Sequence, residues 1–170
     1  TIPTLQNPTA SIMPLERREA IVDIARRHDV ILVEDDIYGF MLPDAPPRLA
    51  TLAPERTVYL TSTSKCLTPG LRVGFAVPPE RLVGKLAAMV RTTLWMTAPT
   101  MIEIFRHLVD SGGADRIVDA RNGEAAARQR IAANALGEAQ YRADPMSPHL
   151  WLTLPQSWHG RDFVRQARDR

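Results

Sequence analysis

Short apolar runs alternate with helix-like segments up to about residue 80 of the chain. Val30–Val33 is continuous and rich in β-branched residues, which is typical of a strand buried on both faces. Thr57–Leu60 and Val73–Val77 are similar runs, and Leu15–His28 places its apolar residues on one face of a helix. Strands that alternate with helices predict an α/β fold, with a mostly parallel sheet and helices on both of its faces.

The second half of the chain has a helical pattern. Its predicted helices span residues 81–94, 100–110 and 114–136. A strand-like alternation at His149–Leu154 and a helical segment at Gly160–Arg170 follow. We therefore predict that residues 1–136 are part of a large domain that ends in a long connecting helix. Residues 137–170 are predicted to begin a small α+β domain.

Composition and charge exclude several classes of protein. Hydrophobic residues make up 45% and charged residues 24% of the chain, as in a soluble globular protein, and the formal net charge is +2. The arginines are spread through helical stretches, so we predict no nucleic-acid contact through this segment. No apolar run reaches the roughly 20 residues that cross a bilayer. A single cysteine, Cys66, and the lack of a signal-like N-terminus predict a cytoplasmic protein.

Lys65 is the residue that most specifically indicates a chemical function. The 21 basic residues include only two lysines, Lys65 and Lys85. Lys65 ends the hydroxyl-rich segment Thr61–Lys65, just after a predicted strand, and Arg72 follows closely. A lysine amine can lose its proton and attack a carbonyl, whereas arginine stays charged and binds phosphate as a planar fork. The pair predicts a Schiff base to an aldehyde cofactor that also carries a phosphate.

Polar groups follow the predicted strands at the end where α/β sheets bind ligands. These groups are Asn7, the pair Asp35 and Tyr38, and Lys65. Each has an ordinary structural interpretation, because an acid after a strand is often a helix cap, a loop tyrosine often packs, and an Asn-Pro-Thr is often a turn. The three groups together, and in this order, indicate a ligand site more specifically than any one of them does alone.

Four segments of the chain resemble the successive signatures of fold type I, pyridoxal-phosphate-dependent aminotransferases of classes I and II. The segments are Asn7–Thr9, Glu34–Tyr38, Ser62–Lys65 and Gly70–Phe75. The amino-acid sequences of Val33–Asp36 and Trp95–Pro99 are most similar to those of the aminotransferase-like domain of MocR-type regulators in the GntR superfamily. The resemblance implies the pyridoxal-phosphate-dependent transferase fold, a homodimer, and transamination between an amino acid and a 2-oxo acid.

The resemblance also implies a role for each candidate site residue. Lys65 would form the Schiff base and then move a proton between the substrate and the cofactor. Asp35 would keep the pyridine nitrogen protonated, with Asp36 facing elsewhere. Tyr38 and Asn7 would hydrogen-bond the phenolic oxygen of the cofactor ring. The phosphate would be bound by three residues, Ser62, Ser64 and Arg72.

The chain departs from the family pattern in two respects. Ala10 stands where the family has glycine, which is compatible with the fold if this position has a negative φ. The family's phosphate-binding glycine- or serine-rich loop, its ring-stacking aromatic residue and its carboxylate-binding arginine have no counterpart in residues 1–170. We therefore expect the chain to be a piece of a longer polypeptide, and we expect the isolated piece to bind the cofactor poorly.

Two classes of function stay open. The first is a transaminase; the second is a sensor, in which the same pocket binds cofactor and an amine ligand and regulates a DNA-binding domain encoded upstream. Ser62-x-x-Lys65 also matches penicillin-binding enzymes, but their partner motifs do not occur. The spacing of the four histidines predicts no metal site, and Cys66 is interpreted as a small side chain in a tight loop. The histidines are His28, His107, His149 and His159.

Overall fold

The computed structural model describes residues 1–169. The helices are α1 (Leu15–Arg27), α2 (Leu49–Leu52), α3 (Thr63–Cys66), α4 (Glu80–Thr93), α5 (Pro99–Asp110), α6 (Gly113–Leu136) and α7 (Gly160–Arg168). The strands are β1 (Leu32–Asp35), β2 (Thr57–Ser62), β3 (Gly74–Val77), β4 (Tyr141–Arg142) and β5 (Trp151–Leu152). The predicted helices over residues 81–136 lie within one residue of α4, α5 and α6. Arg170, the end of the last predicted helix, lies outside the described residues.

The main sheet has the strand order β1-β2-β3. β1 is parallel to β2, and β3 is antiparallel to β2. Thr1 adds a further parallel neighbour on the other side of β1, because its amino group donates to the Val33 carbonyl at 2.8 Å and its carbonyl accepts from the Asp35 N–H at 2.9 Å. The parallel neighbours confirm the predicted α/β class. β3 reverses direction because the short connection through residues 63–73 returns the chain directly to the side of β2.

The first strand begins two residues later than its apolar run. Val30 belongs to the turn after α1, where its N–H donates to the Ala25 carbonyl at 2.9 Å. Val30 and Val33 are both 48% exposed, so the prediction of a strand buried on both faces was wrong. The buried residue of β1 is Glu34, which is 0% exposed. Its carboxylate accepts from two free N–H groups at the start of α2, those of Leu49 (2.9 Å) and Ala50 (2.8 Å).

A buried arginine joins the N-terminal segment to α1. Arg18 is 0% exposed. Burial lowers the pKa of its guanidinium, and the nearby carboxylate of Glu34 opposes this shift. The guanidinium donates to four oxygens, which are the carbonyls of Pro3 (3.1 Å), Met13 (2.9 Å) and Pro47 (3.1 Å) and the hydroxyl of Thr4 (3.1 Å). Arg18 therefore holds both ends of the loop that contains Asn7.

Within the described part of the chain, three clusters of buried apolar side chains make up the core. One, formed by Val22, Leu49 and Ala53, joins α1 to α2. A second, formed by Leu67, Leu71 and Val73, packs under α5 and α6. The third joins the N-terminal segment to the turn after β1 and to α6, and it consists of Leu5, Tyr38, Met41 and Ala125. This third cluster positions one wall of the candidate site.

The C-terminal part begins where α6 ends. Gly137 terminates α6 with a φ of +53°, and β4 then pairs with β5 in a separate antiparallel sheet. The predicted strand at His149–Leu154 is limited to the two residues of β5. The division into domains at residue 137 stays a prediction. Within residues 1–169, each helix is too short or too polar to cross a membrane.

Candidate active site

Three strand ends meet at one edge of the main sheet. Asp35 is the last residue of β1 and Ser62 the last residue of β2. Because β3 is antiparallel, its first residue, Gly74, lies opposite Ser62, and Arg72 comes two residues before it. The topology thus brings a carboxylate, a hydroxyl and a guanidinium to the same edge.

Lys65 lies in α3, the single helical turn that directly follows β2. The Ser62 hydroxyl caps this turn by accepting from the Ser64 N–H at 3.3 Å. The buried Thr63 hydroxyl donates to the Val73 carbonyl at 3.1 Å, which ties the turn to the segment before β3. The Lys65 side chain itself is exposed. The turn is therefore fixed by hydrogen bonds, while the amine stays accessible.

A cavity of about 520 Å³ opens beside Lys65. Tyr38 and Met41 form one side, and Ser147–Leu150 form another. The remaining wall is one face of α6, which contributes residues at intervals of three and four. These residues are Arg121, Glu124, Ala125, Arg128, Gln129 and Ala132. Of the predicted site residues, Tyr38 and Lys65 line this cavity.

Arg72 does not line the cavity beside Lys65. It lines a second hollow, of about 560 Å³, between the sheet and α4. Its guanidinium donates to the Pro69 carbonyl at 3.3 Å, and within residues 1–169 no carboxylate lies at ion-pair distance from it. The other predicted residues, Asn7, Asp35, Ser62 and Ser64, line neither hollow. Asp35, Ser62 and Arg72 therefore lie at the same end of the sheet, but the predicted set is not gathered around a single cavity.

The two aspartates after Glu34 face different directions, as the alternation of side chains along a strand requires. Asp36 is 2% exposed; its carboxylate pairs with Arg48 at 2.6 Å and accepts from the Tyr59 hydroxyl at 2.9 Å. Asp35 is half-buried, and its Oδ1 accepts from the Ile37 N–H at 3.2 Å. Asp36 is thus already neutralised by a cation, and Asp35 keeps oxygen lone pairs available for a ligand.

Asn7 lies in a closed turn. The Gln6 N–H donates to the Ser11 carbonyl at 2.9 Å, and the Ala10 N–H donates to the Gln6 carbonyl at 2.7 Å. Asn7 is exposed at the tip of this turn. Ala10 has a φ of +54°, so the condition under which alanine fits this position without strain is not met. Closure of the turn imposes the left-handed region, which glycine adopts without the steric cost that alanine carries.

Ala10→Gly is expected to leave stability within about 0.5 kcal/mol of the wild type, because relief of the left-handed strain offsets the lost methyl burial. The matched control is Ala25→Gly in α1, since Ala10 and Ala25 are 4% and 2% exposed. Ala25→Gly loses both a buried methyl group and helix propensity, so it should cost about 2 kcal/mol. Urea unfolding of the full-length protein measures both. Equal losses at the two positions would show that the Ala10 backbone is unstrained.

Three contacts at the cavity were missed by sequence reasoning. The Nε2 atom of His149 lies 3.1 Å from the Gln6 carbonyl oxygen, and its ring centroid lies 5.4 Å from that of Tyr38. The Arg121 guanidinium donates to the Leu67 carbonyl at 3.0 Å, so α6 supports the end of the lysine turn. All three contacts join residues that are far apart in the chain, and no local sequence pattern signals them.

The Cys66 side chain is partly buried and hydrogen-bonded. Its thiol donates to the Ser62 carbonyl at 3.3 Å, and burial raises the pKa of the thiol. The thiol therefore stays protonated at neutral pH, which agrees with its interpretation as a small side chain in a tight loop. Within residues 1–169, no group of three or more His, Cys, Asp or Glu side chains is placed to hold a metal ion.

Residues 1–146 match the family described as aminotransferase class I and II. The chain belongs to this family. The match covers the whole sheet edge and all of the predicted site residues. It also confirms the resemblance on which the candidate roles of these residues depend.

Proteins that are similar to the chain include both aminotransferases and proteins named as transcriptional regulators. YdeF of Bacillus subtilis, an uncharacterized HTH-type transcriptional regulator, is 24% identical over 98% of the chain, a stretch that is 36% of YdeF. LysN, the α-aminoadipate aminotransferase of Thermus thermophilus, was crystallised with N-(5'-phosphopyridoxyl)-L-leucine. It is 28% identical with a TM-score of 0.86, over 99% of this chain and 46% of LysN.

A kynurenine aminotransferase of Pyrococcus horikoshii, solved in complex with PMP, gives a TM-score of 0.89 at 26% identity. The superposition covers 99% of this chain and 44% of that enzyme. The chain therefore spans less than half the length of these aminotransferases. The likeness confirms the predicted transferase fold over nearly all of its residues.

Proposed function

We propose that this chain is the pyridoxal-phosphate-binding part of an aminotransferase that moves an amino group between an amino acid and a 2-oxo acid. Lys65 is the amine that bonds to the aldehyde carbon of the cofactor. The observation that carries the proposal is the exposed Lys65 amine on a hydrogen-bonded turn, which shares a cavity with Tyr38 at the sheet edge that also bears Asp35. The phosphopyridoxyl ligand of LysN supports the choice of cofactor.

The side chains at the sheet edge fit this cofactor chemically. Lys65 offers an accessible amine, and Asp35 offers a half-buried carboxylate that can hold a proton on a ring nitrogen. Tyr38 offers a phenol for the ring oxygen, and Arg72 offers a guanidinium without a carboxylate partner in the described part of the chain. When it is bound, pyridoxal phosphate supplies an electron sink for the electrons left at the substrate α-carbon.

The residues of this chain are proposed to transfer the proton, to orient the cofactor ring and to bind its phosphate. The Lys65 amine would serve as the base that takes the proton from the substrate α-carbon and as the acid that gives this proton to the cofactor. The Tyr38 ring is 4% exposed and packs against Leu5, Met41 and Ala125, so it is held in place before any ligand binds. Ser62 and Ser64, beside Lys65 in the chain, and Arg72, from the neighbouring hollow, would bind the phosphate, with the guanidinium supplying a charge-assisted hydrogen bond.

The relation to YdeF favours a second candidate function. In this candidate, the same site binds pyridoxal phosphate and an amine ligand, and the response passes to a DNA-binding domain elsewhere in the full-length protein. The segment in residues 1–170 makes no nucleic-acid contact in this proposal. In both candidates we propose a cytoplasmic homodimer.

The two candidates are separated by a turnover experiment on the full-length protein. The protein is saturated with pyridoxal phosphate, and its visible absorption band is followed while 2-aminoadipate, kynurenine and other amino acids are added. An aminotransferase loses the band, releases a 2-oxo acid, and regains the band when a second 2-oxo acid is supplied. A sensor changes its band without repeated product release and alters its affinity for DNA. If pyridoxal phosphate gives no protein-bound band at all, both candidates are wrong.

A further inference from the structure

His149 contacts two of the elements that are proposed to hold the cofactor ring. Its Nε2 lies 3.1 Å from the carbonyl oxygen of Gln6, the residue before Asn7. Because a carbonyl oxygen only accepts hydrogen bonds, Nε2 must carry the proton. Its ring is also tilted by 59° against the ring of Tyr38, with the centroids 5.4 Å apart. One imidazole thus touches both the turn of Asn7 and the phenol of Tyr38.

The backbone around His149 is itself fixed. The His149 carbonyl accepts from the Ser147 hydroxyl at 2.7 Å and from the Gln129 side-chain amide at 3.1 Å. The same amide of Gln129 donates to the Ser147 carbonyl at 2.7 Å, and Ser147 is 1% exposed. The segment at 147–149 is therefore anchored on α6, and it presents the imidazole from a rigid support.

The remaining contacts of Tyr38 in its cluster are with apolar side chains, Leu5, Met41 and Ala125. Apolar contacts fix the location of a ring but are not directional, whereas an aromatic pair has a preferred tilt. The Gln6 carbonyl also accepts from the Ala10 N–H, so His149 donates to the same oxygen that closes the turn. His149 therefore constrains the orientation of the phenol and the shape of the turn together.

We propose that His149 is a positioning residue that orients Tyr38 and the Asn7 turn toward the phenolic oxygen of the cofactor ring. The inference rests on the proposed binding of pyridoxal phosphate at Lys65. It assigns to the small C-terminal part of the chain a role in setting the electronic state of the cofactor. Its effect acts through Tyr38 and Asn7.

The test uses the full-length protein loaded with pyridoxal phosphate and compares three histidine variants. His149→Phe keeps an aromatic ring against Tyr38 but removes the hydrogen bond to Gln6, and His149→Ala removes both contacts. His107→Ala, on the exposed face of α5, is the matched control. The readouts are the pH midpoint of the visible band, the dissociation constant of the cofactor, and the melting temperature.

Hydrogen bonds to the phenolic oxygen of the cofactor stabilise its anionic form and lower the pKa of the nitrogen that joins Lys65 to the cofactor. The pH midpoint of the visible band reports this pKa, so loosening these hydrogen bonds raises the midpoint. We expect His149→Ala to raise the midpoint by about half to one pH unit and to weaken cofactor binding about three- to tenfold, as for one lost hydrogen bond. His149→Phe should give a smaller shift while melting like the wild type, and His107→Ala should give none. In a Tyr38→Phe, Asn7→Ala background, His149→Phe should have no further effect on the midpoint.

An unchanged midpoint and dissociation constant in both His149 variants would overturn the positioning role. A full shift that persists in the Tyr38→Phe, Asn7→Ala background would also overturn it, since His149 would then act by another route. Failure of His149→Ala to fold leaves His149→Phe as the deciding variant. A wild-type protein without any cofactor band refutes the proposed function itself, and this outcome is distinct from a normal band that the variants leave unchanged.

Discussion

Lys65→Ala is expected to abolish the visible band of the bound cofactor and to lower transamination by at least about a thousandfold. The substitution removes the only group proposed both to bond the cofactor and to move the substrate proton. Lys65→Arg should not restore either property, because a guanidinium stays charged and cannot act as the nucleophile. Absorption spectra and turnover numbers of the full-length variants measure these effects.

Lys85→Ala provides the matched control, since Lys85 is the other lysine of the chain and lies in α4, away from the Lys65 cavity. It should leave the band and the turnover unchanged. Reduction of the loaded wild type with borohydride, followed by peptide mapping, should then find the modified lysine in the peptide that contains Lys65. A band that survives in Lys65→Ala, or modification of Lys85 instead, would contradict the assignment.

Arg18→Leu is expected to destabilise the protein by about 3–5 kcal/mol. The leucine would remove the donor that the Met13 and Pro47 carbonyls and the Thr4 hydroxyl share, whereas the Pro3 carbonyl would keep the Met13 N–H. It would also remove a cation near the buried Glu34 carboxylate. The free energy of unfolding in urea measures the loss. Because Arg18 holds both ends of the loop with Asn7, the cofactor affinity should fall as well.

Arg17→Leu is the control for this prediction, because Arg17 is the preceding residue in α1 and its side chain is exposed. It should change stability by no more than about 0.5 kcal/mol. Similar losses for Arg17→Leu and Arg18→Leu would show that the buried hydrogen bonds of Arg18 contribute little. Arg18→Lys should lie between the two, since an ammonium group keeps the charge but cannot reach all four acceptors.

The acidic run at the end of β1 shows how strand geometry separates chemically similar residues. Glu34 and Asp36 lie on one face, where Glu34 satisfies the start of α2 and Asp36 pairs with Arg48. Asp35 lies on the opposite face, at the sheet edge. Alternation along a strand is a property of the backbone, so adjacent acids in this run point to opposite faces. The assignment of Asp35 to the cofactor rests on the family resemblance and stays a prediction. The partners of Glu34 and Asp36 could not be predicted, because they come from other elements.

The sequence by itself determined the α/β class, the helices over residues 81–136 and the residue types that carry the proposed chemistry. These features depend on local periodicity and on short segments such as Ser62–Lys65. Both involve residues that are adjacent in the sequence, so no tertiary contact is needed to predict them. Only the tertiary structure decided that Val33 is exposed, that Ala10 has a positive φ, and that Arg72 and Lys65 line different hollows. Burial, the closure of loops and the contacts of Arg18 and His149 all depend on residues that are distant in the chain. A periodic sequence pattern does not specify which distant residues come into contact.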